Sequence, residues 1–253
     1  MSITLTGTTA LVTGASGGIG AATALSLAAQ GANVALVARR KDRLDELVER
    51  IQQDGGTALA IEADITDREQ AAAAVDRTVA AFGGLDTLVN NAGIMLLGPA
   101  ESAPVEEWDR MIAINVQGLL YATHAALPHL LTAADGTRGT ADIINISSLA
   151  GRVPIAGSAV YSLTKHGVGA FTEALRQEVT GRHVRVSLIE PGPVATELFT
   201  HIRPEILEAS KEAFANATLL HAEDIADTIT YVVTRPARVV MSELLIRPDG
   251  SQW

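Results

Sequence analysis

The sequence predicts one α/β domain over residues 1–253, with a doubly wound, mainly parallel seven-stranded sheet and helices on both faces. Short runs rich in apolar residues alternate with longer segments of helical periodicity along the whole chain, which is the pattern of consecutive strand-helix-strand units. The short runs are apolar at nearly every position, as strands are when helices cover both faces of a parallel sheet.

The predicted elements follow one another without a repeat, a low-complexity segment or a linker that would mark a second domain. Helical patterns fill the intervals between strands, for example at residues 18–30, 41–54 and 67–82. Such alternation implies right-handed crossover connections. The predicted strands are residues 9–14, 33–38, 57–64, 85–93, 141–148, 183–192 and 242–248.

The composition excludes several classes of function. The chain has 19 Lys and Arg residues against 29 Asp and Glu residues, and the resulting net charge of −10 opposes binding to nucleic acid or to an anionic membrane. It contains no cysteine, so disulfides, thiolate metal sites and cysteine nucleophiles are excluded. The sequence shows neither a signal peptide nor an apolar run of about 18 residues, so a cytoplasmic location without a membrane span is expected.

The first predicted strand runs into a glycine-rich turn, TGASGGIG at residues 13–20, and then into an alanine-rich helix. Glycine at positions Gly14, Gly18 and Gly20 permits a tight turn and close approach of a pyrophosphate to backbone N–H groups, and a helix N-terminus favours negative charge. A compact turn that binds nothing is the alternative. The strand before the turn and the helix after it favour a dinucleotide site.

The second predicted strand ends in ARRK, residues 38–41, where a dinucleotide site reads the ribose of its cofactor. An acidic residue there favours NAD, whereas arginine favours the phosphate of NADP. Arg39 and Arg40 therefore favour NADP(H), with Arg39 the stronger candidate; NAD(H) is the alternative cofactor, and a solvated helix start is the other interpretation of these charges. Asp64 ends the third strand and either accepts from the adenine amino group or caps the next helix.

The segment YSLTK, residues 161–165, places a tyrosine and a lysine four positions apart and therefore on one face of a helix. Apolar residues, Leu163 among them, recur at helical spacing from residue 160 to residue 179. A fixed ammonium near a phenol lowers its pKa, which makes the phenol a better acid-base catalyst. The pair by itself does not distinguish a catalytic site from a surface pair.

Five motifs, TGASGGIG, NNAG, INISS, YSLTK and EPGPVAT, occur in an order that resembles the classical short-chain dehydrogenase/reductase family. The resemblance covers residues 8–248 and implies an NAD(P)-dependent enzyme with a Rossmann fold. It implies hydride transfer between nicotinamide and a carbonyl compound or secondary alcohol, with reduction of a ketone or aldehyde by NADPH favoured. NNAGIMLLGP and the C-terminal IRP are similar to a subgroup that contains clavulanate-type aldehyde reductases and serine 3-dehydrogenase-like enzymes.

The resemblance also implies a catalytic set: Asn115, Ser148, Tyr161 and Lys165. It implies that Tyr161 exchanges a proton with the substrate oxygen, that Lys165 lowers the pKa of that phenol and holds the nicotinamide ribose, and that Ser148 donates to the same oxygen. Asn115 would hold a water that connects the lysine to solvent, and Ser147 is the less favoured serine. The residues implied to contact the cofactor are Gly14, Ser16, Gly18, Ile19, Gly20, Arg39, Arg40, Asp64, Ile65, Asn91, Ala92, Gly93, Tyr161, Lys165, Pro191, Gly192, Val194 and Thr196.

Substrate specificity is expected in residues 193–220 and in the loops after the fourth and fifth strands. A set of apolar residues there suggests a pocket for a largely nonpolar carbonyl compound, and three basic residues leave room for an acidic group. The apolar residues are Met95, Leu96, Leu149, Val153, Leu198 and Phe199, and the basic ones are Arg152, His201 and Arg203. The family usually pairs the long helices around residues 108–131 and 161–179 across two-fold axes, which implies a homotetramer or a homodimer.

Two other functions stay open from the sequence. One is an NADP(H)-sensing regulator that uses the fold without turnover, and the other is an epimerase or dehydratase of the extended family. The glycine pattern and the short C-terminal region speak against the second. No metal site is expected, because cysteine is absent and the histidines lack metal-binding spacing.

Overall fold

The sheet is seen in a computed structural model, which describes residues 4–209 and 218–250; residues 210–217 of the predicted substrate-binding segment lie outside the described residues. Within the described residues, seven strands form one sheet and every neighbouring pair is parallel. The strands are β1 (Thr9–Thr13), β2 (Asn33–Ala38), β3 (Thr57–Glu62), β4 (Thr87–Asn90), β5 (Ala141–Ile146), β6 (Val184–Pro191) and β7 (Glu243–Ile246).

The strand order β3-β2-β1-β4-β5-β6-β7 confirms the predicted doubly wound fold. The chain builds outward from β1 to β3 and then returns, so that β4 pairs with the other side of β1. This reversal makes β1 and β4 the switch point of the sheet. In such sheets a crevice opens beyond the carboxyl ends of the strands at the switch point.

Helices cover both faces of the sheet. Alternate strand residues point to opposite faces, so Val12 and Leu36 pack in one buried cluster and Leu11 and Val37 in another. This burial on both sides explains why the strands are apolar at consecutive positions. The helices are α1 (Gly18–Ala29), α2 (Lys41–Gln53), α3 (Arg68–Phe82), α4 (Val105–Ile112), α5 (Leu119–Ala134), α6 (Ala159–Val179), α7 (Pro204–Ala209) and α8 (Ala222–Val233).

Several predicted boundaries need correction. The fourth strand, predicted over residues 85–93, is limited to Thr87–Asn90, because the N–H groups of Asn91 and Ala92 donate to the hydroxyl of Thr13 instead of continuing the ladder. The long helix expected around residues 108–131 is interrupted by a π-helical turn, and such turns are frequent at functional sites. That turn, Ala113–Gly118, separates α4 from α5.

The apolar stripe predicted on α6 is only partly buried. Val168, Leu175 and Val179 pack into the core, but Leu163 is 62% exposed. The start of α6 therefore buries polar side chains, namely Tyr161, Ser162, Thr164 and Lys165.

The amino end of the sheet is closed by a buried group of charged side chains. Asp142 of β5 accepts from Nε and NH2 of Arg185 at 2.7 and 2.9 Å, and from NH2 of Arg138 at 2.7 Å. Both arginines also donate to the carbonyl of Val233, the last residue of α8. This group joins β5, β6 and α8 at the end of the sheet that lies away from the crevice. No helix in the part of the chain that the structure describes is both long enough and apolar enough to span a membrane.

Candidate active site

The residues predicted to react or to bind cofactor converge on one cleft at the switch point between β1 and β4. Its volume of about 870 Å³ lies within the range of roughly 300–1,000 Å³ for ligand sites. Every predicted residue lines the cleft except Gly20 and Asn115. Gly20 lies beneath the wall, where a Cβ would collide with the carbonyl of Gly14, so it serves close packing of the loop.

The glycine-rich turn forms a wall of the cleft that carries almost no side chains. Gly14 and Gly18 have φ of 67° and 53°, a backbone conformation that favours glycine. A Cβ at Gly18 would lie 3.1 Å from Cγ2 of Thr196, so the opposite wall is already close. Helix α1 begins at Gly18 without a side-chain cap, which leaves N–H groups of its first turn available to an anion. These features fit the pyrophosphate of a dinucleotide.

The Thr13 hydroxyl ties the glycine-rich turn to the NNAG motif. It accepts from the N–H groups of Asn91 and Ala92, both at 3.1 Å, while the Asn91 amide donates to the carbonyl of Thr13 at 3.0 Å. A Cβ at Gly93 would lie 3.4 Å from Oδ1 of Asn115 and 3.6 Å from Nζ of Lys165. The motif therefore brings the backbone next to two of the proposed catalytic residues.

Tyr161 and Ser148 meet at the wall of the cleft. Tyr161 lies on α6 and Ser148 follows β5, yet the Ser148 side chain is close enough to the phenol to lower the pKa of Tyr161. Ser148 also caps the 3₁₀ turn Leu149–Gly151, where its Oγ accepts from the N–H of Ala150 at 3.1 Å. This capping contact uses the oxygen of Ser148 as an acceptor and leaves its hydroxyl hydrogen available as a donor.

The pKa of Tyr161 is raised in this structure, and the effect of Lys165 on it stays a prediction. Burial of the phenol is the largest influence and raises the pKa of Tyr161, while the hydrogen bond with Ser148 lowers it by less. The Lys165 ammonium donates to the carbonyl of Ile146 at 2.9 Å and lies 5.8 Å from the centre of the Tyr161 ring. It therefore approaches the ring, which sequence spacing does not reveal.

Lys165 is a buried cation without a carboxylate partner among its hydrogen bonds in the described residues. Burial lowers the pKa of Lys165 to about 8, so the group titrates close to neutral pH. The neighbouring Ser147 donates to the backbone carbonyl of Lys165 at 2.9 Å. Ser147 therefore fixes the helix that carries the lysine.

Asn115 lies on the π-helical turn and its side chain braces the chain after β4. Its Oδ1 accepts from the N–H of Ile94 at 2.8 Å, and its Nδ2 donates to the carbonyl of Ile94 at 2.9 Å and to Oγ1 of Thr164 at 3.1 Å. Both amide hydrogens are used within the protein. A water held by this side chain, as the sequence predicted, would have to donate to Oδ1.

Buried amides also brace the strands that flank the site. Nδ2 of Asn90 donates to Oδ1 of Asn145 at 2.9 Å and to Oγ1 of Thr123 at 2.8 Å, and Asn145 donates onward to Thr172. This chain of hydrogen bonds joins α5, β4, β5 and α6. The side chains of Asn90 and Asn145 therefore brace the central strands beside the site.

The arginines at the end of β2 differ in their contacts. Arg39 is 68% exposed, and its NH1 lies 3.9 Å from Oδ2 of Asp64. Arg40 is held more firmly, by Ser16 of the glycine-rich turn and by Glu197 at 2.8 Å. The Arg39 guanidinium therefore has fewer contacts within the protein than that of Arg40 and is more accessible to a ligand.

Asp64 makes local contacts that favour a turn-capping role. Its Oδ1 accepts from the N–H and the hydroxyl of Thr66, at 2.9 and 2.8 Å. The N-cap of α3 is Asp67, which accepts from the N–H groups of Glu69 and Gln70. Of the two roles predicted for Asp64, capping therefore concerns the turn before α3, not the helix itself.

The segment after β6 forms the wall opposite the glycine-rich turn. The N–H of Gly192 donates to the carbonyl of Ile246 at 2.8 Å, and Val194 pairs with Leu220 in an isolated bridge. Thr196 caps the 3₁₀ turn Glu197–His201 by accepting from the N–H of Leu198. The predicted carboxamide-binding loop is therefore held at Gly192 against β7 and at Val194 against the segment before α8.

The substrate end of the cleft is lined mainly by apolar side chains. Met95, Leu149, Val153, Leu198 and Phe199 line it as predicted, whereas Leu96 packs in the core.

Two of the three basic residues expected to receive an acidic group are paired with carboxylates. Arg152 donates to Glu190 at 2.8 Å and contacts Glu243, and Arg203 pairs with Glu107 and Glu205, both at 3.1 Å. The third, His201, lines the cleft.

Two contributors were missed by the sequence reasoning. Glu197 and Arg43 form an ion pair at 2.5 Å beside the glycine-rich turn. Arg43 lies three residues after Arg40, a spacing that predicts a shared helix side; the pairing with Glu197 has no local signal. Among the described residues, no group of three or more His, Asp or Glu side chains is placed to hold a metal ion.

Comparison with known proteins identifies the family. The sequence model of the family described as short chain dehydrogenase matches residues 8–207. Sulfoacetaldehyde reductase 2 of Chromohalobacter salexigens is 38% identical over 245 residues, which cover 96% of this chain and 95% of that protein. Glycine betaine reductase of Emericella nidulans is also 38% identical over 245 residues, but the chain spans only 19% of that protein's length.

A solved structure supports membership of the same family. The closed form of serine dehydrogenase complexed with NADP+ is 34% identical, with a TM-score of 0.88 and coverage of 97% of this chain and 96% of that one. The chain belongs to the short-chain dehydrogenase/reductase family, and it is an oxidoreductase of that family.

Proposed function

We propose that the protein is an NADPH-dependent reductase of apolar aldehydes or ketones, acting in reverse as an alcohol dehydrogenase. The observation that carries this proposal is that the side chains of Tyr161 and Ser148 line the same cleft beside the Lys165 ammonium. Two hydroxyls that converge on one point are suited to a carbonyl oxygen on which negative charge develops.

Each catalytic residue receives a role from its contacts. A bound nicotinamide would supply the hydride. Tyr161 donates the proton to the substrate oxygen, because its phenol is protonated at neutral pH and lies on the cleft wall. Ser148 donates to the same oxygen. Lys165, held at Ile146, offers positive charge beside the ring when the phenol has lost its proton.

NADP(H) is the proposed cofactor, with NAD(H) as the alternative. The end of β2 carries no acidic residue to select the NAD ribose, and Arg39 and Arg40 line the cleft there. The 34% identical serine dehydrogenase is complexed with NADP+, which supports the same choice. The proposed contacts are the glycine-rich turn, the two arginines, Asn91 to Gly93 and the segment from Pro191 to Thr196.

An apolar carbonyl compound is the proposed substrate. Sulfoacetaldehyde, glycine betaine and serine, for which the similar proteins are named, all carry charged groups. In this chain the nearby Arg152 and Arg203 are neutralised by carboxylates, and the lining is mainly apolar. Burying an unpaired anion there would cost several kcal/mol, on the order of the penalty for a desolvated ion. Residues 193–220 are accordingly proposed as the substrate-binding segment, through Leu198 and Phe199.

A panel of carbonyl compounds tests this function. Medium-chain aldehydes, aryl ketones and sulfoacetaldehyde are each offered with NADPH and with NADH, and oxidation of the cofactor is followed by absorbance. The proposal expects the highest kcat/KM for an apolar compound with NADPH. A preference for sulfoacetaldehyde would contradict the substrate class, and tight NADPH binding without turnover of any compound would favour the regulator.

A homotetramer is the proposed assembly. The described surface exposes large apolar side chains on two sides, Ile112 and Leu163 near α4 and α6, and Tyr231, Val240 and Leu245 near α8 and β7. Large apolar side chains that are exposed in the single chain are available for burial between copies of it. Light scattering should give about four times the 26.4 kDa chain mass. Replacing Leu163 with Glu should dissociate the assembly, and a monomeric wild type would refute it.

A further inference from the structure

One carboxylate joins two arginines across the mouth of the cleft. Oε2 of Glu197 accepts from NH1 of Arg40 at 2.8 Å, and Oε1 accepts from NH1 of Arg43 at 2.5 Å. Arg40 is the N-cap of α2 and Arg43 lies in its first turn, so both guanidinium groups reach the same side. Glu197 belongs to the segment after β6, which lies more than 150 positions away along the chain.

Arg40 also holds the glycine-rich turn. Its Nε donates to Oγ of Ser16 at 3.1 Å and its NH2 donates to the backbone carbonyl of Ser16 at 3.2 Å. A Cβ built on Gly17 would lie 3.3 Å from NH2 of Arg40 and 3.5 Å from Oε2 of Glu197. Three separate segments of the chain therefore meet directly over the turn.

The location of the Glu197 ion pairs shows which parts of the cleft they connect. Glu197 follows Thr196, whose side chain packs on Gly18 from the opposite wall of the cleft. The ion pairs thus hold the wall after β6 against the wall formed by the glycine-rich turn. Between these walls lies the position proposed for the pyrophosphate.

The ion pairs between Glu197 and the two arginines are weak enough to break and form again. The three side chains are 42–47% exposed, and ion pairs of this kind contribute little stability and are screened by salt. The hydrogen bonds from Arg43 and Arg40 hold the pKa of Glu197 at about 2, so the carboxylate stays charged at neutral pH. A contact that is always charged but weak can form and break on each binding event.

We propose that Arg40, Arg43 and Glu197 form a clasp that closes the cleft over the bound cofactor and slows its release. The proposal rests on the proposed function, because it requires a nucleotide between the two walls. Arg43 and Glu197 are positioning residues in this account, since they act by holding the wall after β6.

Cofactor release tests the clasp. NADPH is displaced from the full-length protein by excess NADP+ in a stopped-flow instrument, and the loss of its fluorescence gives the rate of release; NADH displaced by NAD+ is measured in the same way. The variants are Glu197→Gln, Arg43→Gln and the double variant. Asp45→Asn is the matched control, because Asp45 pairs with Lys41 on α2 at a comparable exposure but outside the cleft.

The clasp predicts that Glu197→Gln accelerates release of NADPH and of NADH by a similar factor of about 2 to 10. Arg43→Gln should accelerate release less, and the double variant should match Glu197→Gln, because both changes remove the same contact. Asp45→Asn should release both cofactors at the wild-type rate. Circular dichroism of each variant confirms that the fold is kept.

Two results would overturn the clasp alone. In one, the wild type binds NADPH but every variant releases it at the wild-type rate. In the other, Glu197→Gln binds NADPH more tightly and leaves NADH unchanged, which would mean that Glu197 competes with the cofactor phosphate for the arginines. A wild type that binds neither cofactor would overturn the proposed function, and the clasp with it.

Discussion

The two ends of the sheet each carry a carboxylate between two arginines, and the two groups differ in burial. At the amino end, Asp142 is fully buried and Arg185 is 4% exposed, with further guanidinium donors satisfied by backbone carbonyls. At the carboxyl end, Glu197 and its two arginines are close to half exposed.

This difference in burial distinguishes a charged group that stabilises the fold from one that can rearrange during binding. Charges taken out of water stabilise only as a complete set, because a single buried charge without its partner is strongly unfavourable. Charges left in water contribute little to the fold and can exchange partners at low cost. The amino end is therefore suited to hold β5, β6 and α8 together, and the carboxyl end to rearrange around a ligand.

The largest expected effect lies at the amino end. Replacing Asp142 with Asn should lower the free energy of unfolding by about 3–5 kcal/mol, because two buried guanidinium groups lose their carboxylate. Turnover measured well below the melting temperature should stay close to the wild-type value. Urea denaturation of this variant beside Glu197→Gln makes the comparison, and equal losses of stability in the two variants would refute it.

The second largest expected effect is a loss of kcat caused by a change at the carboxyl end of the sheet, which carries the catalytic residues. Replacing Ser148 with Ala should lower kcat by about 100- to 1,000-fold, because one of two donors to the developing oxyanion is lost. The matched change Ser147→Ala removes a donor to the Lys165 carbonyl and should keep kcat within about tenfold of wild type. Steady-state kinetics on the best substrate measure both. A larger loss of kcat in Ser147→Ala would reverse the roles of the two serines.

Arg39 and Arg40, which are neighbours at the carboxyl end of the sheet, are expected to have different roles in cofactor binding. Arg39→Ala should raise KM for NADPH by about 10- to 100-fold, the value of a charged hydrogen bond to phosphate, and leave KM for NADH unchanged. Arg40→Ala should weaken both cofactors because it opens the clasp, and it should discriminate against NADPH less than Arg39→Ala does, because Ser16 and Glu197 already engage the Arg40 guanidinium. Initial rates measured with each cofactor give these KM values. A rise in KM that is specific to NADPH and larger in Arg40→Ala than in Arg39→Ala would contradict the roles assigned to the two arginines.

The smallest expected effect concerns Lys165, the buried cation of the catalytic end. Because its pKa is lowered to about 8 in the folded protein, the unfolded chain binds more protons between pH 8 and about 10.4, and stability rises with pH across that window. The rise should be about 1 kcal/mol between pH 8 and pH 9. Denaturation at both pH values shows it as a difference from Lys165→Met. Parallel pH dependence of the two proteins would mean that Lys165 does not titrate there.

The sequence was sufficient for the fold and for the composition of the cleft because both depend on local patterns. Apolar runs and helical spacing predicted every strand and the alternation of helices, and short motifs placed Tyr161 and Ser148 in one cleft. Boundaries failed where the chain leaves a regular element, as at the π-helical turn around Asn115.

Two further properties were not available from the sequence. The pairing of Glu197 with Arg40 joins positions 157 apart, and nothing local specifies it. Burial raises the pKa of Tyr161, and how fully the phenol is buried follows from packing and not from the four-residue spacing.

The proton donor is the central claim, and Tyr161→Phe tests it most directly. This variant keeps the ring beside Lys165 and removes only its hydroxyl group. Single-turnover oxidation of bound NADPH by the best carbonyl substrate should slow by at least about 100-fold, while the Kd for NADPH stays at the wild-type value. A variant that binds NADPH and turns over at the wild-type rate would contradict the assignment of Tyr161 as the acid.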